Sequence, residues 1–296
     1  MSSRPSAPPL STAGIIAFDV LMFTGLAISI VALIPPIFAK GVVRTKTWFT
    51  LLACNILYCV VHLMLLGRQT GARPDKVLCM AQGGLIYAAP PTLALAALAF
   101  VSEGFSKIYI RLSSIVHGHR VQERYIWLMI WAVTILPTLI FWVDSLLAFA
   151  YPFTVKRNWS GAFCHIDQNA PTIIASVLTA FFIVGMLCVN VLIVVLIFRR
   201  RPSGSLRERM HSSAVPGYAF LRIIIVATIG LVSTLVVQAI NWRPNPNVYI
   251  SLGVVPVALA LVFALQKDIL YFYMCKRRSS QSDSVRNSGA SQPLTA

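Results

Sequence analysis

Charge is what this chain most lacks. Only 9 of its 296 residues are Asp or Glu, and charged residues of both signs make up 11%. Soluble domains carry about 25%, so a water-facing globular surface is excluded. Histidine is equally sparse, five in all. No His, Cys, Asp or Glu cluster falls at metal-site or triad spacing within the apolar stretches, which argues against an enzyme, a bound metal or a cofactor. A net charge of +16 would ordinarily raise nucleic acid as a partner. In so apolar a chain it speaks first of membrane topology and anionic lipid, and no nucleic acid is expected.

What the chain does have is long apolar runs; 57% of its residues are hydrophobic. A helix needs about 20 such residues to cross ~30 Å of hydrocarbon. Seven stretches qualify: 14–39, 47–66, 77–101, 125–147, 171–198, 218–240 and 248–265. The expected fold is an all-α membrane protein, a seven-transmembrane helix bundle surrounded by the lipid bilayer. Residues 1–13 form a short N-terminal segment and 276–296 a Ser-rich, polar tail expected to be disordered. Most of the 25 basic residues fall in one alternate set of connections, including Lys40 to Lys46, Lys107 to Arg124, Arg199 to Arg209 and the tail. By the positive-inside rule these face the cytoplasm, placing the N-terminus outside and the C-terminus inside. The first 13 residues lack the pattern of a cleavable signal peptide, so the first span is expected to act as an uncleaved anchor.

That topology sorts the cysteines. Cys54, Cys59 and Cys188 fall inside spans, as small apolar side chains. Cys79 heads the third span and Cys164 lies in the outer loop before the fifth. Both meet an oxidising compartment and no other outward cysteine competes, so a disulfide folding that loop over the bundle mouth is expected rather than two unrelated thiols. The loop also carries the sequon Asn158-Trp159-Ser160, making Asn158 a candidate glycosylation site, together with His165 and Asp167.

The run Cys79-Met80-Ala81-Gln82-Gly83 resembles the Cys-x-x-Gln-Gly start of the third helix in G-protein-coupled receptors similar to cyclic-AMP receptors and their fungal relatives. Gln266-Lys267-Asp268, at the end of the seventh span, is similar to fungal seven-span receptor-like proteins. The resemblance implies a plasma-membrane receptor that senses an extracellular ligand (a nutrient, small molecule or pheromone) and activates a heterotrimeric G protein. Two departures set the chain apart from the rhodopsin-like group. Gly104, not arginine, follows Glu103, and no Asn-Pro-x-x-Tyr accompanies Pro256.

Ionisable groups at membrane depth are costly and mark function or a partner. Glu103 and Arg222 fall near the inner ends of the third and sixth spans. They form either a latch between those helices or separate contacts with water and lipid phosphate. Asp19 and Asp144 line a ligand cavity or sit at headgroup level. With Gln82, Gln238, Asn241 and Trp242 they make the set of candidate ligand contacts. Asn55, His62 and Asn190 are expected to hydrogen-bond between helices. Pro90-Pro91, Pro137 and Pro256 are expected to kink their helices.

After the seventh span, residues 269–274 suit a short interfacial helix, and Cys275 beside Lys276-Arg277-Arg278 is a candidate palmitoylation site. A transporter or channel is the alternative, but no internal repeat is visible. A retinal protein is disfavoured because Lys267 lies at the inner end of its span.

Overall fold

The computed structural model describes residues 11–39, 42, 44–72, 74–113, 118–151, 153–158, 161–199 and 248–274. Seven helices and one small hairpin fall within them: α1 (Thr12–Phe38), α2 (Lys46–Leu63), α3 (Lys76–Ser113), α4 (Gly118–Ala150), β1 (Val155–Arg157), β2 (Cys164–Ile166), α5 (Asn169–Arg199), α6 (Val248–Ala264) and α7 (Lys267–Tyr273). Helices α1 to α5 are long and apolar enough to cross a membrane; α6 is apolar but shorter. The predicted sixth span, with Arg222, Gln238, Asn241 and Trp242, lies outside the described residues, as do Cys275 and the tail.

The helices start where polar side chains satisfy their first amides. Ser11 Oγ accepts from Gly14 N, Thr45 Oγ1 from Trp48 N, and Asp75 Oδ2 from Leu78 N. Within the apolar spans, lipid requires every backbone amide to be bonded internally, which the helical ladder achieves. Helix α3 passes through Pro90 and Pro91, and α4 through Pro137, without interruption. The prolines therefore do not break these helices. Helix α3 also runs twelve residues past the expected end of its span, to Ser113, because a helix need not stop where the hydrocarbon does.

Helix α3 is the axis of the described bundle. It packs on α2, α4 and α5, while α1 packs on α2 and α6. The core runs along it, from Ile86 and Tyr87 through Leu93, Ala96 and Ala99, joined by Phe18 and Met22 of α1, Leu51 and Leu52 of α2 and Phe263 of α6. Close approach of α3 and α4 depends on Gly84. A Cβ there would stand 2.8 Å from Ser145 Oγ and 3.4 Å from the Phe141 carbonyl oxygen, so a side chain at this position would displace Ser145 and press on α4. Small residues at such contacts let helices gain dispersion that lipid cannot match.

Candidate functional site

The polar side chains in the bundle gather at its two ends and at one point between them. At the end marked by the heads of α1 and α3, β1 and β2 form an antiparallel hairpin pairing Val155 with Ile166 and Arg157 with Cys164. Cys79 and Cys164 meet there in a disulfide, with Cα atoms 5.3 Å apart. The residues pointing down from the hairpin, Ala162, Cys164 and Ile166, are almost wholly buried. Phe163 closes on His62, ring centroids 6.2 Å apart, and Tyr58 and Phe18 complete the aromatic surround of that imidazole. The hairpin is a plug in the bundle mouth.

Three further ties hold it. Gln82, fully buried, accepts from Cys164 N at 2.9 Å and donates to the Val61 carbonyl at 2.9 Å. Tyr87 Oη donates to the Ile166 carbonyl at 3.2 Å. The Arg157 guanidinium donates to the carbonyls of Arg68, Gly71 and Ala72 at 3.1 to 3.3 Å, clasping the hairpin to the connection between α2 and α3. Gly161, at φ +82, turns the hairpin so closely over that connection that a Cβ would lie 2.8 Å from the Gln69 carbonyl oxygen. Gln69 in turn donates to Asp19 Oδ1 at 2.7 Å.

The proposed ligand contacts are thus divided by the structure. Both ends of the Gln82 amide bind the protein itself, and Asp19 is held by Gln69. Asp144 is buried, and neither its Oδ2 nor the neighbouring Ser145 Oγ has a partner among the described residues. Asn158 is buried at 7% exposure within the hairpin turn, a poor place for a glycan. A Gln82→Leu substitution is expected to orphan the Cys164 amide and lower stability by about 1–3 kcal/mol. Thermal unfolding in detergent would measure it, and a change near zero would show that the hairpin does not rely on that bond.

On the exposed side of the hairpin, Lys156 Nζ contacts Asp167 Oδ2 at 2.9 Å. That hydrogen bond holds the Asp167 carboxyl below its ordinary range. Burial pushes the His165 imidazole the other way from its neighbour's pull, below the ordinary histidine range despite the Asp167 carboxylate. The native state then resists protonating His165 while the unfolded chain accepts the proton. Stability is therefore full above the ordinary histidine pKa of 6.5 and falls as pH drops below it. The thermal midpoint is expected to decline between about pH 6.5 and 5, and His165→Gln is expected to flatten that decline.

Midway along the bundle, Asn55 donates to Ser29 Oγ at 2.8 Å and to the Pro256 carbonyl at 3.2 Å, joining α1, α2 and α6. This is the interhelical role expected of it. His62 and Asn190 differ. They hydrogen-bond within their own helices, to the Tyr58 and Met186 carbonyls, because those oxygens lie one turn back on the same face.

At the opposite end, Glu103 is buried at 5% exposure. It accepts from Thr47 Oγ1 of α2 and pairs with Lys107 Nζ at 2.7 Å. Glu103 therefore has partners in α2 and α3, independent of Arg222. Beside this node Arg44 meets Asp268 at 3.6 Å and lies over the Trp48 ring, and Tyr273 Oη donates to the Val31 carbonyl at 2.7 Å. Helix α7, expected as a short interfacial segment, is thus tied to α1 and to the start of α2.

Sequence signals for the plug were partial: the cysteines and Gln82 stood out, but Tyr87 and Arg157 did not. A tyrosine in an apolar span and an arginine in a loop carry no distinguishing pattern. Searches against protein-family models and against curated proteins find no match to this chain.

Proposed function

We propose that the chain is a seven-helix receptor, resembling G-protein-coupled receptors, that detects an extracellular ligand at the disulfide end and activates a heterotrimeric G protein at the Glu103 end. The observation that carries this reading is the placement of α3. One continuous helix links a disulfide-anchored plug to a buried carboxylate node at the far end. A change in the plug's seating has a rigid path to that node. The parity of the bundle supports seven spans. Helix α5 runs parallel to α3, with Gly185 against Leu98, while α6 runs parallel to α1, with Gly253 against Leu21. The end of α5 and the start of α6 therefore lie at opposite ends, and the 23-residue apolar stretch 218–240 separates them in sequence.

The excess of Lys and Arg in the connections assigned to the Glu103 side supports a cytoplasmic orientation for that end, and a plasma-membrane location goes with the receptor reading. Glu103 is the resting lock, and the candidate contacts Asp144, Gln238, Asn241 and Trp242 are the groups left to meet a ligand. The test is co-expression with a set of Gα subunits and a nucleotide-exchange readout against a ligand panel. Ligand-dependent exchange with at least one subunit is expected. Failure with every subunit, together with solute flux in vesicles, would replace the receptor by a transporter.

A further inference from the structure

One feature lies apart from both ends. A groove of roughly 470 Å³ runs along the side of the bundle between α2, α3 and α4. Ala53, Cys54, Ala88, Ala89, Pro137 and Phe141 are among the residues that shape it. On α2 it extends from Thr50 to Val61, roughly 16 Å at 1.5 Å per residue. Leu57, on its edge, is 44% exposed, so the groove opens sideways, where hydrocarbon is the solvent.

Four threonines line it, and every hydroxyl is turned back onto its own helix. Thr50 donates to the Lys46 carbonyl at 3.0 Å and Thr92 to that of Ala88 at 2.6 Å. Thr134 donates to the Ile130 carbonyl at 3.1 Å and Thr138 to that of Thr134 at 2.7 Å. With those donors occupied, the walls suit an aliphatic chain. The end toward Glu103 is different. Lys46, one turn before Thr50, holds its ammonium 4.2 Å over the Trp127 ring of α4. Lys46 and Trp127 are exposed, and so is Arg124, one turn further along α4. Glu123 lies one turn before Trp127 on the same face of α4, so among the described residues the mouth sets one carboxylate against the two cations Lys46 and Arg124. A cation and an amphipathic ring at the mouth of a hydrocarbon groove match a negatively charged headgroup with its chain below.

We propose that this groove binds an anionic phospholipid, one acyl chain lying along Thr50 to Val61 and the phosphate meeting Lys46. The choice of leaflet rests on the orientation proposed above, since anionic lipid is concentrated on the cytoplasmic side. A sterol hydroxyl is neutral and gains little from a lysine, so the ammonium selects the phospholipid.

The experiment uses the full-length protein in nanodiscs holding equal phosphatidylglycerol and phosphatidylcholine, with lipids retained after detergent extraction identified by mass spectrometry. About a tenfold preference for phosphatidylglycerol is expected. Lys46→Gln should erase the headgroup preference and Lys46→Arg should keep it. Ala53→Phe, at an exposed position, fills the groove without disturbing the core and should abolish retention of both lipids at an unchanged thermal midpoint. Inorganic phosphate should not displace the lipid. Equal retention of both lipids by the native protein, displacement by phosphate, or an unaltered preference in Ala53→Phe would overturn the proposal. Because the nanodisc presents both lipids on both faces, the result does not depend on orientation. C-terminal tag accessibility in intact cells tests that separately.

Discussion

Cys164→Ser is expected to lower stability by about 2–4 kcal/mol and to abolish the ligand response of the proposed receptor. The disulfide closes a loop of 85 residues, which in the chain-entropy account restricts the unfolded ensemble by roughly 4–5 kcal/mol. Helices already threaded through a bilayer are less free than a chain in water, so the lower figure applies. Seating suffers as well as entropy. Cys164 is fully buried against Leu65 and Cys79, and serine would place a hydroxyl there. The double variant Cys79→Ser, Cys164→Ser should match the single one, because the bond is lost once in either. Thermal unfolding, with and without reductant, separates the outcomes. A midpoint unmoved by both treatments would mean that Gln82, Tyr87 and Arg157 suffice to hold the plug.

Glu103→Gln is expected to raise ligand-independent nucleotide exchange by about tenfold, which corresponds to ~1.4 kcal/mol taken from the resting state. The neutral amide can still accept from Thr47, but the charge-assisted bond that ties α2 to α3 becomes an ordinary one, and Lys107 on the same helix loses its partner, so the tie weakens without emptying the site. Thr47→Val removes the other half of the node and should act in the same direction. Burial makes the effect large: at 5% exposure little water screens the carboxylate, so its bond to Thr47 is stronger than the same bond at a surface. Basal exchange at the native level in both variants, at native expression, would remove Glu103 from any switching role.

Much of the scaffold was legible because hydrocarbon imposes a simple rule on sequence. Helices α1, α2 and α5 begin and end close to the limits of their apolar runs, whereas α3 and α4 extend well past theirs on the Glu103 side, where polar residues continue the helix; the short helix after Ala264 was foreshadowed by its aromatic and basic flanks. The hairpin was not legible. Three-residue strands are too short for alternation to show, and Val155-Lys156-Arg157 and Cys164-His165-Ile166 read as ordinary loop. Gln82 shows the opposite difficulty. Its place next to Cys79 marked it as notable, but the sequence does not distinguish an amide that meets a ligand from one that fastens a loop. Asp19 was ambiguous for the same reason, its partner Gln69 lying fifty residues away in a connection without pattern.

The plug is fastened at both margins, by the sulfur bridge on one side and the Arg157 clasp on the other, with Phe163 seated on His62 of α2. A cover pinned twice does not swing like a hinged door. A molecule arriving from the aqueous phase would find the way shut where the plug sits, so its admission falls to a route around the plug or to lateral passage between helices from within the lipid itself.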